Sequence, residues 1–133
     1  MTRPLSYLAL LALLGLFPLS VLAQGTTPSL PGNPTDPVTE AEMEVLVPLC
    51  ESCHGEGGNS QRAEVPSLAG RNADELFAEI ERFYFYERIC PDVPLDDHDA
   101  SKGHMSMCEI TSIINRQEAE NLAEFFAAQP VTE

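Results

Sequence analysis

The chain has few basic residues and no repeated segment, and each deficit narrows the functions that it can have. Only 7 of its 133 residues are lysine or arginine, against 21 aspartates and glutamates, so the formal net charge is −14. A chain this acidic does not bind nucleic acid or an anionic membrane surface by charge. The negative charge either keeps the protein soluble or attracts it to a basic docking face on a partner protein. The lack of an internal repeat excludes a tandem of two similar units.

The sequence also lacks any segment in which apolar and polar residues alternate with period two, so we predict an all-α domain. Three helices are expected, each opened by a polar residue with a glutamate three positions later. These pairs are Thr39 with Glu42, Asn72 with Glu75, and Asn115 with Glu118. The first helix is predicted to run to the glycines that begin at Gly55, and the second to end near Arg88. Residues 89–107 are predicted to form a long loop.

The first 23 residues have the layout of a secretory signal peptide. Arg3 is followed by an apolar run from Leu5 to Val21, and small Ala23 precedes Gln24. Removing these residues leaves 110, the size of one domain, with a net charge of −15 because only Arg3 is lost. An uncleaved membrane anchor is the alternative. Pro18 and Ala23 favour cleavage, after which no membrane attachment is expected, and export places the protein in the periplasm.

Residues 24–38 contain four prolines and two glycines, and we interpret them as a flexible linker outside the core. The domain itself is then expected to comprise residues 39–133.

The most informative motif is the run Cys50-Glu51-Ser52-Cys53-His54. Two thiols at this spacing can each bond one vinyl group of a haem, and the following histidine becomes an axial ligand of the iron. A four-thiolate zinc site would need a second close cysteine pair, whereas the other two cysteines are eighteen positions apart. A thioredoxin-like pair would lie beside a βαβ pattern, which is absent. We therefore predict one covalently attached haem c.

Three stretches resemble the class I cytochromes c of bacterial periplasms. They are the haem motif with its following Gly55, the Val65–Gly70 segment (a P-x-L-x-G pattern), and the predicted last helix from Ile114 to Phe126. The chain is similar both to short electron-transfer cytochromes and to the haem subunit of flavocytochrome c sulfide dehydrogenase. The resemblance implies a small cytochrome c fold, with helices packed around one haem.

The resemblance also implies two further site residues. The carbonyl of Pro66 would accept a hydrogen bond from the ring of His54 and raise its basicity as a ligand. Met107 would be the sixth ligand of the iron, because Ile110 and Ile114 stand at the family's spacing after it. Met105 is the competing methionine. His104 and His98 lie in the same loop, and bis-histidine ligation through His104 remains an alternative.

Cys90 and Cys108 depart from the simple family pattern. In an oxidising compartment they are expected to form a structural disulfide that closes the predicted ligand loop. A redox-active pair, or a sulfur substrate carried on Cys108 beside the haem, is the alternative.

The expected function is periplasmic electron transfer between a donor and an acceptor protein, without catalysis by the chain alone. The alternative is the electron-accepting haem subunit of an oxidoreductase, with a flavoprotein or other dehydrogenase as its partner; the aromatic run 83–86 would then supply a binding face. A gas sensor would need a labile sixth ligand, which the two methionines disfavour.

Overall fold

The computed structural model describes residues 30–32, 37–95 and 99–132. The predicted signal peptide therefore lies outside the described residues, as does most of the predicted linker. Four α-helices are present: α1 (Glu40–His54), α2 (Ala73–Tyr84), α3 (Met107–Ser112) and α4 (Arg116–Ala127). Two short strands, β1 (Val93–Pro94) and β2 (His104–Met105), accompany them. The prediction of a mainly helical domain is confirmed for this part of the chain.

The polar residues predicted to begin helices do so. The hydroxyl of Thr39 accepts from the Glu42 amide at 3.2 Å, and the Glu42 carboxylate accepts from the Thr39 amide at 2.7 Å. Asn115 and Glu118 form the same reciprocal pair in front of α4, at 3.0 and 2.7 Å. Each pair satisfies amides that the helix itself leaves without a partner, which explains why these starts can be read from sequence.

The predicted end of α2 is wrong by one turn: the helix ends at Tyr84, not near Arg88. Tyr86 has φ +57°, and the amides of Tyr86 and Glu87 donate back to the carbonyls of Phe83 and Arg82. These two bonds form a Schellman motif, whose left-handed position is usually a glycine. With a tyrosine there, the sequence carries no visible stop signal.

The predicted loop 89–107 contains structure that the sequence analysis missed. Strands β1 and β2 pair antiparallel, with Val93 opposite Met105, and a short 3-10 turn spans Ala100–Lys102. Helix α3 was also missed, although Ser106 and Glu109 form a reciprocal capping box in front of it. Two-residue strands are too short to show a period of two, and α3 is too short to show a helical period.

The core lies where α2 and α4 pack together, with α1 against α4 and α3 against α2. Its buried members are Leu30, Leu76, Ile114, Ala119, Leu122, Ala123 and Phe126. The interpretation of residues 24–38 as lying outside the core is wrong for Leu30, whose exposed fraction is 2 %. The neighbouring carbonyl of Pro31 accepts from the Arg116 amide at 2.8 Å, satisfying the first turn of α4. Within the described residues, no helix is both long and apolar enough to span a bilayer.

Two glycines after α1 offer a matched test of packing beside the core. Gly57 and Gly58 both have positive φ, +59° and +78°, so alanine at either costs about 1–2 kcal/mol of stability from backbone strain. A Cβ on Gly58 would lie 2.8 Å from Cδ1 of Phe126, whereas one on Gly57 would lie 3.5 Å from its nearest neighbour. Gly58→Ala is therefore expected to lose about 1–3 kcal/mol more than Gly57→Ala. Chemical denaturation measures both, and equal losses would contradict the predicted clash.

Candidate functional site

One apolar cavity of about 370 Å³ opens beside the core. Its walls come from the end of α1, the 64–71 segment, α2, the 88–93 segment and residues 105–114, with part of α4 behind. This volume lies within the range of small-molecule and cofactor sites. The cavity brings together every residue that the sequence analysis assigned to a cofactor, namely Cys50, Cys53, His54, Pro66 and Met107, and also Met105.

The last turn of α1 carries the three residues of the motif. Because helical neighbours are three and four positions apart, Cys53 and His54 lie on the same face of the helix as Cys50. All three line the cavity, and both thiols are free of disulfides. The helix ends immediately afterwards, where the Gly55 amide donates to the carbonyl of Glu51 at 2.9 Å.

His54 is held in one tautomer by a backbone carbonyl. Its Nδ1 lies 2.7 Å from the carbonyl oxygen of Pro66, the contact that the resemblance implied. A carbonyl oxygen can only accept, so Nδ1–H donates and Nε2 keeps its lone pair. The side chain is buried, and this burial lowers the pKa of His54, although the bond to Pro66 opposes the shift. The lowered pKa favours the neutral ring, which is the form that binds a metal, and the bond to Pro66 orients it.

The environment of Cys50 argues against a thioredoxin-like pair. Burial, reinforced by the charge of Glu51, raises the pKa of Cys50 to about 12. A nucleophilic or redox-active cysteine needs the opposite shift, because the thiolate is the reactive form. Among the described residues, no three His, Cys, Asp or Glu side chains are grouped so that they could hold a metal ion.

The two methionines reach the cavity by different elements. Met105 lies on β2, and Met107 is the first residue of α3; both side chains line the cavity and are half-buried. His104 does not line it: this residue is exposed and pairs with Pro94 on the strand ladder. This placement disfavours bis-histidine ligation through His104. His98 lies outside the described residues.

Cys90 and Cys108 are joined in a disulfide, as predicted, with their Cα atoms 5.8 Å apart. Cys108 is 4 % exposed, in the first turn of α3, directly after Met107. The disulfide therefore connects the segment that follows α2 to α3, the helix that carries Met107. It closes the segment that includes both strands and both candidate methionines.

Removing this disulfide is expected to destabilise the domain without unfolding it. In the chain-entropy model, a loop whose ends are 18 positions apart is worth about 3 kcal/mol. The double variant Cys90→Ser/Cys108→Ser should lose about that much free energy of unfolding in urea. Wild type measured with and without a thiol reductant is the control. A loss below about 1 kcal/mol would show that the bond contributes little to the folded state.

Several charged residues of the cavity were missed by sequence reasoning. Arg88 forms an ion pair with Glu79, and its guanidinium lies 4.7 Å from the centre of the Phe83 ring. Arg71 lines the same cavity. The pairing of Arg88 with Glu79 depends on the turn that ends α2, for which the sequence carries no signal, so no spacing rule could have found it.

Comparison of the chain with protein-family models, curated proteins and solved structures found no match. The assignment of function therefore rests on the residues of this cavity and their geometry.

Proposed function

We propose that the protein is a periplasmic electron carrier with one covalently attached c-type haem. Cys50 and Cys53 would form the thioether bonds, and His54 and Met107 would be the axial ligands. When bound, the haem supplies a one-electron couple between ferric and ferrous iron. The chain then needs only redox partners, a donor and an acceptor, and no substrate of its own.

The observation that supports this proposal best is the convergence of the motif and a methionine on one apolar cavity. Cys50, Cys53, His54 and Met107 all line it, although His54 and Met107 are 53 positions apart along the chain. The free thiols suit thioether formation, and the neutral His54 presents Nε2 as a lone pair. A zinc or dithiol site would not need the methionine.

Each of these residues has a task that its environment supports. The Pro66 carbonyl makes the His54 imidazole more basic and prevents the ring from turning. A thioether ligand favours ferrous iron and raises the reduction potential. The mainly apolar walls, which include Leu76, Ile80 and Phe83, lower the local dielectric constant and favour the less charged state.

The charge of the chain supports the expected class of partner. With a net charge of −14, the protein would be attracted to basic docking faces at rates that fall with ionic strength. The partner proteins are therefore expected to present lysine and arginine around their own redox centres.

The proposal is tested by expressing the full chain in a bacterium that exports it and attaches c-type haem. The exported protein should carry the mass of one haem, resistant to acid extraction. The ferric and ferrous spectra should be those of a low-spin, six-coordinate haem. An exported, folded protein with two free thiols and no haem would contradict the proposal, and bound zinc in that protein would redirect it.

A further inference from the structure

Arg62 connects two segments of the cavity wall that are distant in sequence. Its Nη1 donates to the carbonyl of Pro94 at 3.0 Å, and its Nε donates to the Glu64 carboxylate at 3.0 Å. The Arg62 side chain is only 13 % exposed, whereas that of Glu64 is 58 % exposed. A charged donor in such surroundings forms stronger bonds than a neutral one, and its planar geometry fixes their direction.

One end of this connection lies on the segment that orients His54. The Val65 amide donates to the Arg62 carbonyl at 3.2 Å, and the Arg62 amide donates to the Ser60 hydroxyl at 3.1 Å. Pro66 follows directly and accepts the hydrogen bond from His54. The backbone of Arg62 is thus part of the same short turn as the carbonyl that fixes the histidine tautomer.

The other end lies on the segment that carries the methionines. Pro94 belongs to β1, and its neighbour Val93 pairs with Met105 on β2. Val93 and Met105 both line the cavity, and Met107 begins α3 two residues after Met105. The bond from Arg62 to Pro94 therefore holds the strand pair that leads into the sixth-ligand position.

We propose that Arg62 is a positioning residue that holds the methionine-bearing segment against the His54 side of the cavity, and so keeps the methionine on the iron. This inference rests on the proposed function. The disulfide constrains the same segment at its ends, Cys90 and Cys108, whereas Arg62 constrains it at β1.

The test compares three variants of the haem-loaded full chain: Arg62→Gln, Arg62→Lys and Arg82→Gln. Arg82→Gln is the matched control, because Arg82 is also an arginine paired with a glutamate, at 2.8 Å, but its own side chain is 49 % exposed and does not line the cavity. The readouts are the methionine–iron charge-transfer band of the ferric protein and the carbon monoxide affinity of the ferrous protein. Both report on the methionine bond, and thermal unfolding is followed in parallel.

For Arg62→Gln we expect a weaker charge-transfer band and carbon monoxide affinity raised about tenfold, equivalent to about 1.4 kcal/mol. Arg62→Lys retains the charge but has a single donor nitrogen, so its carbon monoxide affinity should lie between those of Arg62→Gln and the wild type. Arg82→Gln should match the wild type in both readouts. If Arg62→Gln does not fold, the carbon monoxide affinity and the charge-transfer band of Arg62→Lys decide the test.

An unchanged band and affinity in Arg62→Gln, with or without a lower melting temperature, would overturn the inference, because Arg62 would then be only structural. Equal shifts of the band and the affinity in Arg62→Gln and Arg82→Gln would overturn it too, because the effect would then not be specific to Arg62. In both cases a wild type with attached haem and a methionine band leaves the proposed function standing. A wild type that attaches no haem overturns the proposed function, and this inference with it.

Discussion

Replacing Cys50 and Cys53 together with alanine is expected to abolish haem attachment completely. Both cysteines line the cavity, and no other free cysteine is present, because Cys90 and Cys108 are joined to each other. The variant should have the mass of the bare polypeptide, and any haem that it binds through His54 should be removed by acid extraction. Denaturing electrophoresis stained for haem measures the loss.

The control is the Cys90→Ser/Cys108→Ser variant, which removes the same number of sulfur atoms and leaves the motif intact. It should retain one haem per chain, although at lower stability. Retention of covalent haem in the Cys50→Ala/Cys53→Ala variant would contradict the proposed attachment. Loss of haem from the control alone would indicate that haem is attached to Cys90 and Cys108 instead.

Met107→Ala is expected to produce the largest change in reduction potential. Without the thioether the ferrous state loses its preferential stabilisation, and the potential should fall by a substantial part of the roughly 0.8 V range that axial ligands span. The ferrous variant should also bind carbon monoxide at neutral pH. Potentiometric titration followed by absorbance measures the first effect, and carbon monoxide difference spectra measure the second.

Met105→Ala is the matched control, because Met105 lines the same cavity two residues earlier. It should keep a potential close to that of the wild type and should not bind carbon monoxide. The reverse pattern would assign the sixth ligand to Met105 on β2. Two variants that both keep the wild-type potential would exclude methionine ligation.

Local features of this chain could be predicted because each depends on a few adjacent residues. The caps at Thr39, Asn72 and Asn115 satisfy amides only three positions away, and they were read correctly. The disulfide was predicted from compartment and count, since four cysteines with two in the motif leave one pair. The hydrogen bond from His54 to the carbonyl of Pro66, twelve positions downstream, was instead implied by the resemblance to class I cytochromes c.

Features that depend on distant partners could not be predicted. Leu30 is buried in one cluster with residues of α2 and α4, and nothing in the proline-rich sequence around it indicates this packing. Helix α2 stops early because Tyr86 adopts a left-handed conformation that tyrosine seldom accepts. The bond from Arg62 to Pro94 spans 32 positions, and no periodicity relates the two.

The sequence by itself determined the local chemistry: an acidic chain with a predicted export signal, two thiols and a histidine at the end of one predicted helix, and a proline and methionines further along. Only the tertiary structure decided that these groups share one apolar cavity, with His54 buried and oriented by the carbonyl of Pro66. It also decided that Arg62 and the disulfide constrain the methionine segment. The physical reason is the sequence separation over which each interaction acts. Capping and motif spacing involve residues within about one helical turn, whereas the cavity is formed by packing between segments tens of residues apart.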